Sequence, residues 1–242
     1  MNISPEQLAA ACGCRLSVAR RWLGPLVQAM ARYGIDTPSR MADFLAQLGH
    51  ESGSLAYVEE IASGAAYEGR KDLGNTRPGD GKRFKGRGLI QITGRANYAA
   101  AGSALGIDLL ANPERLEEPE FAALSAAWFW RSKGLNELSD LGDFDRITRR
   151  INGGTNGAAD RLERRKAART ALGLDSPPVL RRGDSGPGVL ALQKALAARG
   201  VRVDVDGIFG PAIEAALRGF QASQGLVADG IAGPQTMRAL GL

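Results

Sequence analysis

The chain has 242 residues, 44% hydrophobic and 24% charged, which suits one or two folded domains and excludes a disordered or fibrous class. Its net charge of +5 fits an anionic polymer as partner, without choosing among wall material, nucleic acid and a membrane surface. No run of about 18 apolar residues occurs, and Cys12 and Cys14 are too close in sequence to bridge without strain, so neither a spanning helix nor a disulfide framework is expected.

The start, Met1 to Gln7, carries no basic region followed by an apolar one, so synthesis in the cytoplasm without a signal peptide is expected. Ser4 can cap a helix over 5–12, and residues 17–33 read as an amphipathic helix. Thr37-Pro38-Ser39-Arg40 leads into a helix over 41–51, with Phe44, Leu45 and Leu48 on one face. A glycine-rich stretch follows from 64 to 88, the kind of long segment that is usually a functional loop. Residues 89–93, Leu-Ile-Gln-Ile-Thr, alternate enough to predict a short strand. Helices are expected over 120–133 and 143–151, and over 161–172 before Gly173 as a C-terminal cap.

Asp175-Ser176-Pro177-Pro178 is the best domain boundary, since two prolines end a helix and set up an extended link. Beyond it, Asp206-Gly207-Ile208-Phe209-Gly210-Pro211 recurs as Asp229-Gly230-Ile231-Ala232-Gly233-Pro234. In each copy Asp-Gly predicts a turn and Gly-Pro the start of a helix. Helical patterns over 188–199, 211–224 and 234–240 then make a three-helix bundle.

Chemistry concentrates in four segments. Glu51, in His50-Glu51-Ser52-Gly53, closes an apolar helix. Burial and the negative helix end both disfavour an ionised carboxylate there, which suits a general acid. The plain alternative is a surface glutamate at a helix end. Glu59, Glu60 and Glu68 follow, and one of them on an opposite wall could activate water. Two carboxyls about 6.5–9.5 Å apart are the inverting arrangement for glycoside hydrolysis, because water must fit between acid and sugar. In residues 85–98, glycines permit close backbone approach, while Gln91, Thr93, Asn97 and Tyr98 offer groups that hold sugar hydroxyls. The polar turn over 151–157 can line the same cleft. Trp128-Phe129-Trp130 reads chiefly as core, with sugar stacking as the alternative. One histidine and two cysteines are too few for a metal site.

His50-Glu51-Ser52-Gly53, the run from Gly86 to Tyr98, and Ile151-Asn152-Gly153-Gly154 stand in order and well separated. Together they resemble glycoside hydrolase family 19, the chitinase-like family that includes many bacteriophage endolysins, over roughly residues 1–174. The resemblance implies Glu51 as general acid and Glu60, nine residues on, as general base. It implies Thr93 as the residue positioning the catalytic water, and Gln91, Asn97 and Asn152 as sugar contacts, with Tyr98 beside them. Arg161 matches an arginine behind the base, implied to hold the sugar or tune the base. Residues 61–66 depart from the family's usual stretch, so Glu59 and Glu68 stay open as bases. Residues 179–242 resemble the peptidoglycan-binding domain 1 family, with Ile213 where threonine is usual and Thr236 kept in the second copy.

The resulting expectation is a mainly α protein. A lysozyme-like helical catalytic domain with a groove fills 1–174, a linker 175–178, and a small three-helix bundle 179–242. The resemblance implies an endolysin that hydrolyses peptidoglycan glycosidic bonds by an inverting two-carboxylate mechanism, without cofactor or metal. It is expected to be monomeric, to bind no nucleic acid, to make no stable membrane insertion, and to reach the wall from the host cytoplasm after release. The alternatives are a chitinase and a non-catalytic wall-binding protein. A third, the helix-turn-helix look of residues 6–23 with Arg20 and Arg21, would mean a DNA-binding regulator and leaves the rest of the chain unexplained.

Overall fold

The computed structural model describes residues 3–175 and 179–242. Residues 176–178 of the expected linker, and Met1 and Asn2 at the start, lie outside the described residues. The chain divides into two compact units, Met1–Leu174 and Asp175–Leu242.

The first unit is helical. Its elements are α1 (Pro5–Cys12), α2 (Leu16–Arg32), α3 (Pro38–Glu51), α4 (Asp80–Arg83), α5 (Arg95–Leu105), α6 (Pro119–Ser132), α7 (Leu135–Asp140), α8 (Phe144–Asn152) and α9 (Ala158–Ala171). Local chemistry starts the helices as the sequence predicts. The Ser4 hydroxyl accepts from the Gln7 amide at 3.2 Å while Gln7 accepts from the Ser4 amide at 2.9 Å, a reciprocal cap. Thr37 caps α3 one way, its hydroxyl accepting from the Arg40 amide at 3.2 Å, with Pro38 in the first turn.

α3 is the axis of the unit. Every residue from Met41 to Gly49 is buried, so this helix is wrapped on all faces. α9 and α1 pack along it, and α2 packs on α6. Phe44 meets Trp130 edge-on at 5.4 Å. A Cβ on Gly49 would lie 3.0 Å from the Cys12 carbonyl oxygen and 3.1 Å from the Arg164 guanidinium, so the bare glycine lets α1 and α9 approach closely. Burying Phe44, Leu45 and Leu48 contributes about 1.5–3 kcal/mol each. The buried Asp43 is held by Arg165 at 2.7 Å and by the Ser139 hydroxyl at 2.8 Å. The pair that looked like a helix-turn-helix, α1 and α2, contributes Leu8, Cys12, Trp22 and Leu26 to this core.

The predicted strand over 89–93 is a correction. Arg87 and Ile92 exchange backbone hydrogen bonds of 3.0 and 2.8 Å, and the residues between them form a tight turn. Gly88 and Gln91 both take left-handed backbone, φ 76° and 57°, which breaks an extended run. The apolar alternation reflects burial of Leu89, Ile90 and Ile92 around that turn. The glycine-rich stretch is also more ordered than expected, carrying short 3-10 turns at Ala65–Tyr67 and Lys71–Leu73 and the single turn of α4.

The second unit holds α10 (Pro187–Ala198), α11 (Pro211–Ser223) and α12 (Pro234–Leu240) around a core that includes Val189, Leu192, Phe209, Leu217, Phe220 and Met237. Each repeat is locked by one buried glutamine. Gln193 donates to Asp206 at 2.8 Å and accepts from the Gly207 amide at 2.7 Å. Gln221 does the same with Asp229 and Gly230, both at 2.9 Å. The second copy adds a bond from Gln221 to the Thr236 hydroxyl at 3.0 Å, where the first copy has the buried Ile213. No helix among the described residues is long and apolar enough to cross a membrane.

Candidate active site

A groove of about 700 Å³ opens at the exposed end of α3. Glu51, the last residue of α3, lines it with its side chain 20% exposed. Glu51 accepts from the Arg161 guanidinium at 2.6 Å. Arg161, 2% exposed, also donates to the Gln47 side chain and to the Asn156 carbonyl at 3.3 Å. Gln47 donates in turn to the Thr148 hydroxyl at 2.9 Å. A chain of buried polar groups from α8, α3 and α9 therefore fixes the orientation of this one carboxylate.

Tyr67, Leu73 and residues 90–93 line the same groove, and Glu60 is held next to them. Glu60 pairs with Gly86 two ways: the Glu60 amide donates to the Gly86 carbonyl at 2.9 Å, and the Gly86 amide donates to Glu60 Oε2 at 3.1 Å. Lys85 reaches the Glu60 carbonyl at 3.2 Å from the same strand of chain. Oε1 of Glu60 accepts from the Tyr67 hydroxyl at 2.9 Å. Tyr67 lines the groove at this point and stands over Glu60. A Cβ on Gly86 would lie 2.7 Å from Gln91 Oε1, 3.2 Å from Glu60 Oε2 and 3.3 Å from Thr93 Oγ1. Three side-chain oxygens thus converge on one point that only a glycine leaves open.

The two rival carboxylates are committed elsewhere. Glu59 bonds Lys85 at 3.0 Å and Arg87 at 3.2 Å, and its carboxyl is held below the usual range first by Lys85 and then by Arg87. Both oxygens of Glu68 accept backbone amides, from Gly79 at 2.7 Å and Gly81 at 2.8 Å, which shapes the loop. His50 bonds Asp160 at 2.6 Å, and its ring lies against Gly157 so closely that a Cβ there would be 2.3 Å from Cε1. The histidine braces the end of α3 against α9. Hydrogen bonds from His50 and Arg164 hold the Asp160 carboxyl below its ordinary value.

Gln91, Thr93, Asn97 and Asn152 all line the groove. Asn97 donates to the Thr93 carbonyl at 2.7 Å, Gln91 to the Gly88 carbonyl at 3.0 Å, and Asn152 to the Asn156 carbonyl at 3.3 Å. Two expected contacts are corrected. Tyr98 is fully buried, its hydroxyl donating to the Lys85 carbonyl at 2.6 Å and accepting from Arg87 at 3.2 Å. Burial pushes its phenol up to about 12. Tyr98 therefore supports the Lys85–Arg87 segment, because α5 turns that face into the core. Arg161 was expected to touch sugar or stand behind the base, but it lies buried behind Glu51, where α9 packs along α3.

Two features escaped the sequence reading. Tyr67 sits in an irregular loop, where no periodicity marks it. Gln47 was visible in principle: it is one turn before Glu51 on the same helix face, an amide inside an apolar run. The aromatic triplet splits, with Trp128 and Phe129 on the groove and Trp130 in the core, bonding Asn136 at 2.8 Å. Cys12 and Cys14 are free thiols, and burial pushes the Cys12 thiol up. No group of three metal-ligating side chains occurs among the described residues.

The chitinase class I family profile matches residues 35–162 and the peptidoglycan binding domain profile matches residues 185–240. The chain is 38% identical to an endochitinase of Arabidopsis thaliana over 63% of this chain and 53% of that protein, so it spans about half the length of that relative. It is 33% identical to a glycosyl hydrolase family 19 domain-containing protein of Haemophilus influenzae, covering 51% of this chain and 76% of that protein. Among solved structures, a bacterial family 19 chitinase superposes with TM-score 0.60 at 26% identity, covering 72% of this chain and 96% of that one. Chitinase C from Streptomyces griseus gives 0.59 at 28%, covering 71% and 76%. With more than half its length matched, this chain belongs to the chitinase class I family, the glycoside hydrolases of family 19, and it carries a peptidoglycan binding domain as well.

Proposed function

We propose that this glycoside hydrolase cuts the glycan strands of bacterial peptidoglycan with inversion at the anomeric carbon, as a lytic endolysin. The observation that carries the reading is a groove lined by Glu51, Gln91 and Thr93, with the Glu60 carboxylate converging with Gln91 and Thr93 beside Gly86, in a chain that also has a peptidoglycan binding domain. Protonated Glu51 donates to the glycosidic oxygen as the bond from that oxygen to the anomeric carbon breaks. A water held near Gly86 by Thr93 and Gln91 gives its proton to Glu60, and its oxygen bonds the anomeric carbon from the opposite face. Tyr67 and the Gly86 amide hold Glu60 ready, and Arg161 sets the angle of Glu51. Gln91, Asn97 and Asn152 hold sugar hydroxyls, and Trp128 offers an aromatic face.

The second unit keeps the enzyme on its insoluble substrate, which raises the local concentration of cleavable bonds. The chain acts as a monomer and meets the wall after release from the host cytoplasm. Mass spectrometry of digested peptidoglycan tests the reading: new reducing ends on muramic acid identify a muramidase, and released peptides alone refute glycosidase action on the wall. Glu51→Gln abolishes lysis with wall binding retained, and deleting residues 177–242 weakens sedimentation with walls more than turnover of soluble fragments. A second reading, hydrolysis of chitin, is favoured by the chitinase names of the relatives and solved neighbours. Cleavage of chitin oligosaccharides with no cleavage of wall glycan would select it.

A further inference from the structure

No regular element places Tyr67 beside Glu60. It ends a single 3-10 turn, Ala65–Tyr67, in the irregular chain between α3 and α4, yet its hydroxyl donates to Glu60 Oε1 at 2.9 Å. Burial, and then the bond to Glu60, push its phenol above the ordinary value, so it stays a donor at neutral pH. Two side chains outside the groove lining pin this residue. Asn75 is fully buried: its Nδ2 donates to the Tyr67 carbonyl at 2.9 Å, and its Oδ1 accepts from the Arg95 amide at 2.8 Å. Glu68, next in the chain, accepts from the Gly79 amide at 2.7 Å and the Gly81 amide at 2.8 Å. The two segments meet through bare backbone. A Cβ on Gly81 would lie 2.6 Å from the Glu68 nitrogen, and one on Gly64 would lie 2.5 Å from the Gly81 carbonyl oxygen. Between those two glycine amides, Asp80 bonds Arg95 at 2.5 Å. Both anchors of Tyr67 thus lead to Arg95, the first residue of α5, and α5 also carries Asn97 into the groove.

We infer that Glu68 and Asn75 are positioning residues for hydrolysis, holding Tyr67 so that its hydroxyl stays on the Glu60 carboxylate. A side chain on a loop keeps its target within hydrogen-bond reach only if its main chain is fixed, and a misplacement of about 1 Å at a reacting group costs roughly 100-fold in rate. Asn75 fixes the Tyr67 carbonyl, and Glu68 fixes the residue after it. Neither has to touch sugar or water, since each acts through Tyr67. This inference rests on Glu60 as the base, as read above, and the test separates the two.

The experiment measures kcat, KM and thermal stability of the full-length enzyme on whichever soluble substrate the parent turns over, a wall glycan strand or a chitin oligosaccharide. Glu68→Gln turns an NH2 group against one of the two glycine amides, and Asn75→Asp sets a carboxylate oxygen against the Tyr67 carbonyl. Each lowers kcat about tenfold, the worth of one hydrogen bond to a charged group, and moves KM less than about twofold. Each is then repeated in a Tyr67→Phe background, whose own kcat is lowered by the same factor. With the hydroxyl gone, neither substitution lowers kcat further, although each lowers the melting temperature as much as it does in the parent. Residues that only keep the loop folded give kcat losses that multiply in that background. Multiplying losses overturn the inference, as does a kcat within about twofold of the parent for any of the three single variants, and both leave Glu60 standing as the base. A Glu60→Gln enzyme with parental kcat overturns the base and this inference together. The two substitutions cut separate anchors, so if one of them unfolds the enzyme the other still reads the coupling.

Discussion

Gly86→Ala tests the water seat without replacing a titratable group. The added methyl would sit 2.7 Å from Gln91 Oε1, closer than real Cβ contacts allow. That oxygen is the far end of a flexible side chain, so Gln91 swings aside and the main chain stays put. The contacts to Glu60 Oε2 at 3.2 Å and Thr93 Oγ1 at 3.3 Å are tight but tolerable. The stability cost is therefore about 1 kcal/mol, the low end for overpacking a buried site. For a unit of this size that is a fall in Tm of about 2–4 °C. Catalysis suffers far more. The methyl takes the space between three oxygens where the attacking water belongs, and displacing a reacting group by about 1 Å costs roughly 100-fold in rate. Calorimetry reports the first quantity and release of reducing ends from purified peptidoglycan the second. A variant within about threefold of parental kcat refutes the placing of water at Gly86. A loss of activity matched by a loss of more than about 4 kcal/mol of stability refutes the claim that the backbone stays put.

Other perturbations probe the surrounding frame. Arg161→Met leaves Glu51 and the Gln47 side chain without their guanidinium partner, so the catalytic unit loses about 3–5 kcal/mol in denaturant melts; a loss below about 1 kcal/mol would show that the pair is dispensable. Tyr67→Phe removes the hydroxyl that donates to Glu60 Oε1, lowering kcat more than it raises KM; an unchanged kcat would remove Tyr67 from any role in holding Glu60. Asp80, bonded to Arg95 at 2.5 Å, has its carboxyl pulled from 3.8 to about 2. Its folded value is depressed, so its contribution of about 2 kcal/mol is full above pH 3.8 and disappears as pH falls toward 2. Asp80→Asn should flatten that part of the stability–pH curve, and an unaltered curve would exclude the ion pair as its source. Gln221→Leu strands the buried Gly230 amide and removes one of the two donors to Asp229, so the second unit melts early while turnover of soluble fragments persists.

Much of the helical framework was legible because its signals are local. Ser4 and Thr37 announce helix starts through hydrogen bonds three residues long, and the tail's repeat is written twice in the same six residues. The glutamate at the end of an apolar helix was equally visible, since Phe44, Leu45 and Leu48 bury one face and Glu51 must emerge where that face ends. The strand over 89–93 was misread because alternation reports burial as well as extension, and only the backbone reveals left-handed turns at Gly88 and Gln91.

The sequence by itself determined helix positions, the division near residue 175, and a short set of acids and polar groups with the right chemistry. Tertiary structure decided which way each one points. Tyr98 and Asn97 are neighbours on α5, yet one is core and the other lines the groove. Glu59 and Glu60 are adjacent, yet Lys85 and Arg87 claim the first while Tyr67 and Gly86 hold the second. Arg161 reaches Glu51 across 110 positions of sequence only because α9 packs along α3. Caps and periodicity act over one or two turns of chain, whereas a side chain's partner across a groove is fixed by the packing of elements far apart in sequence.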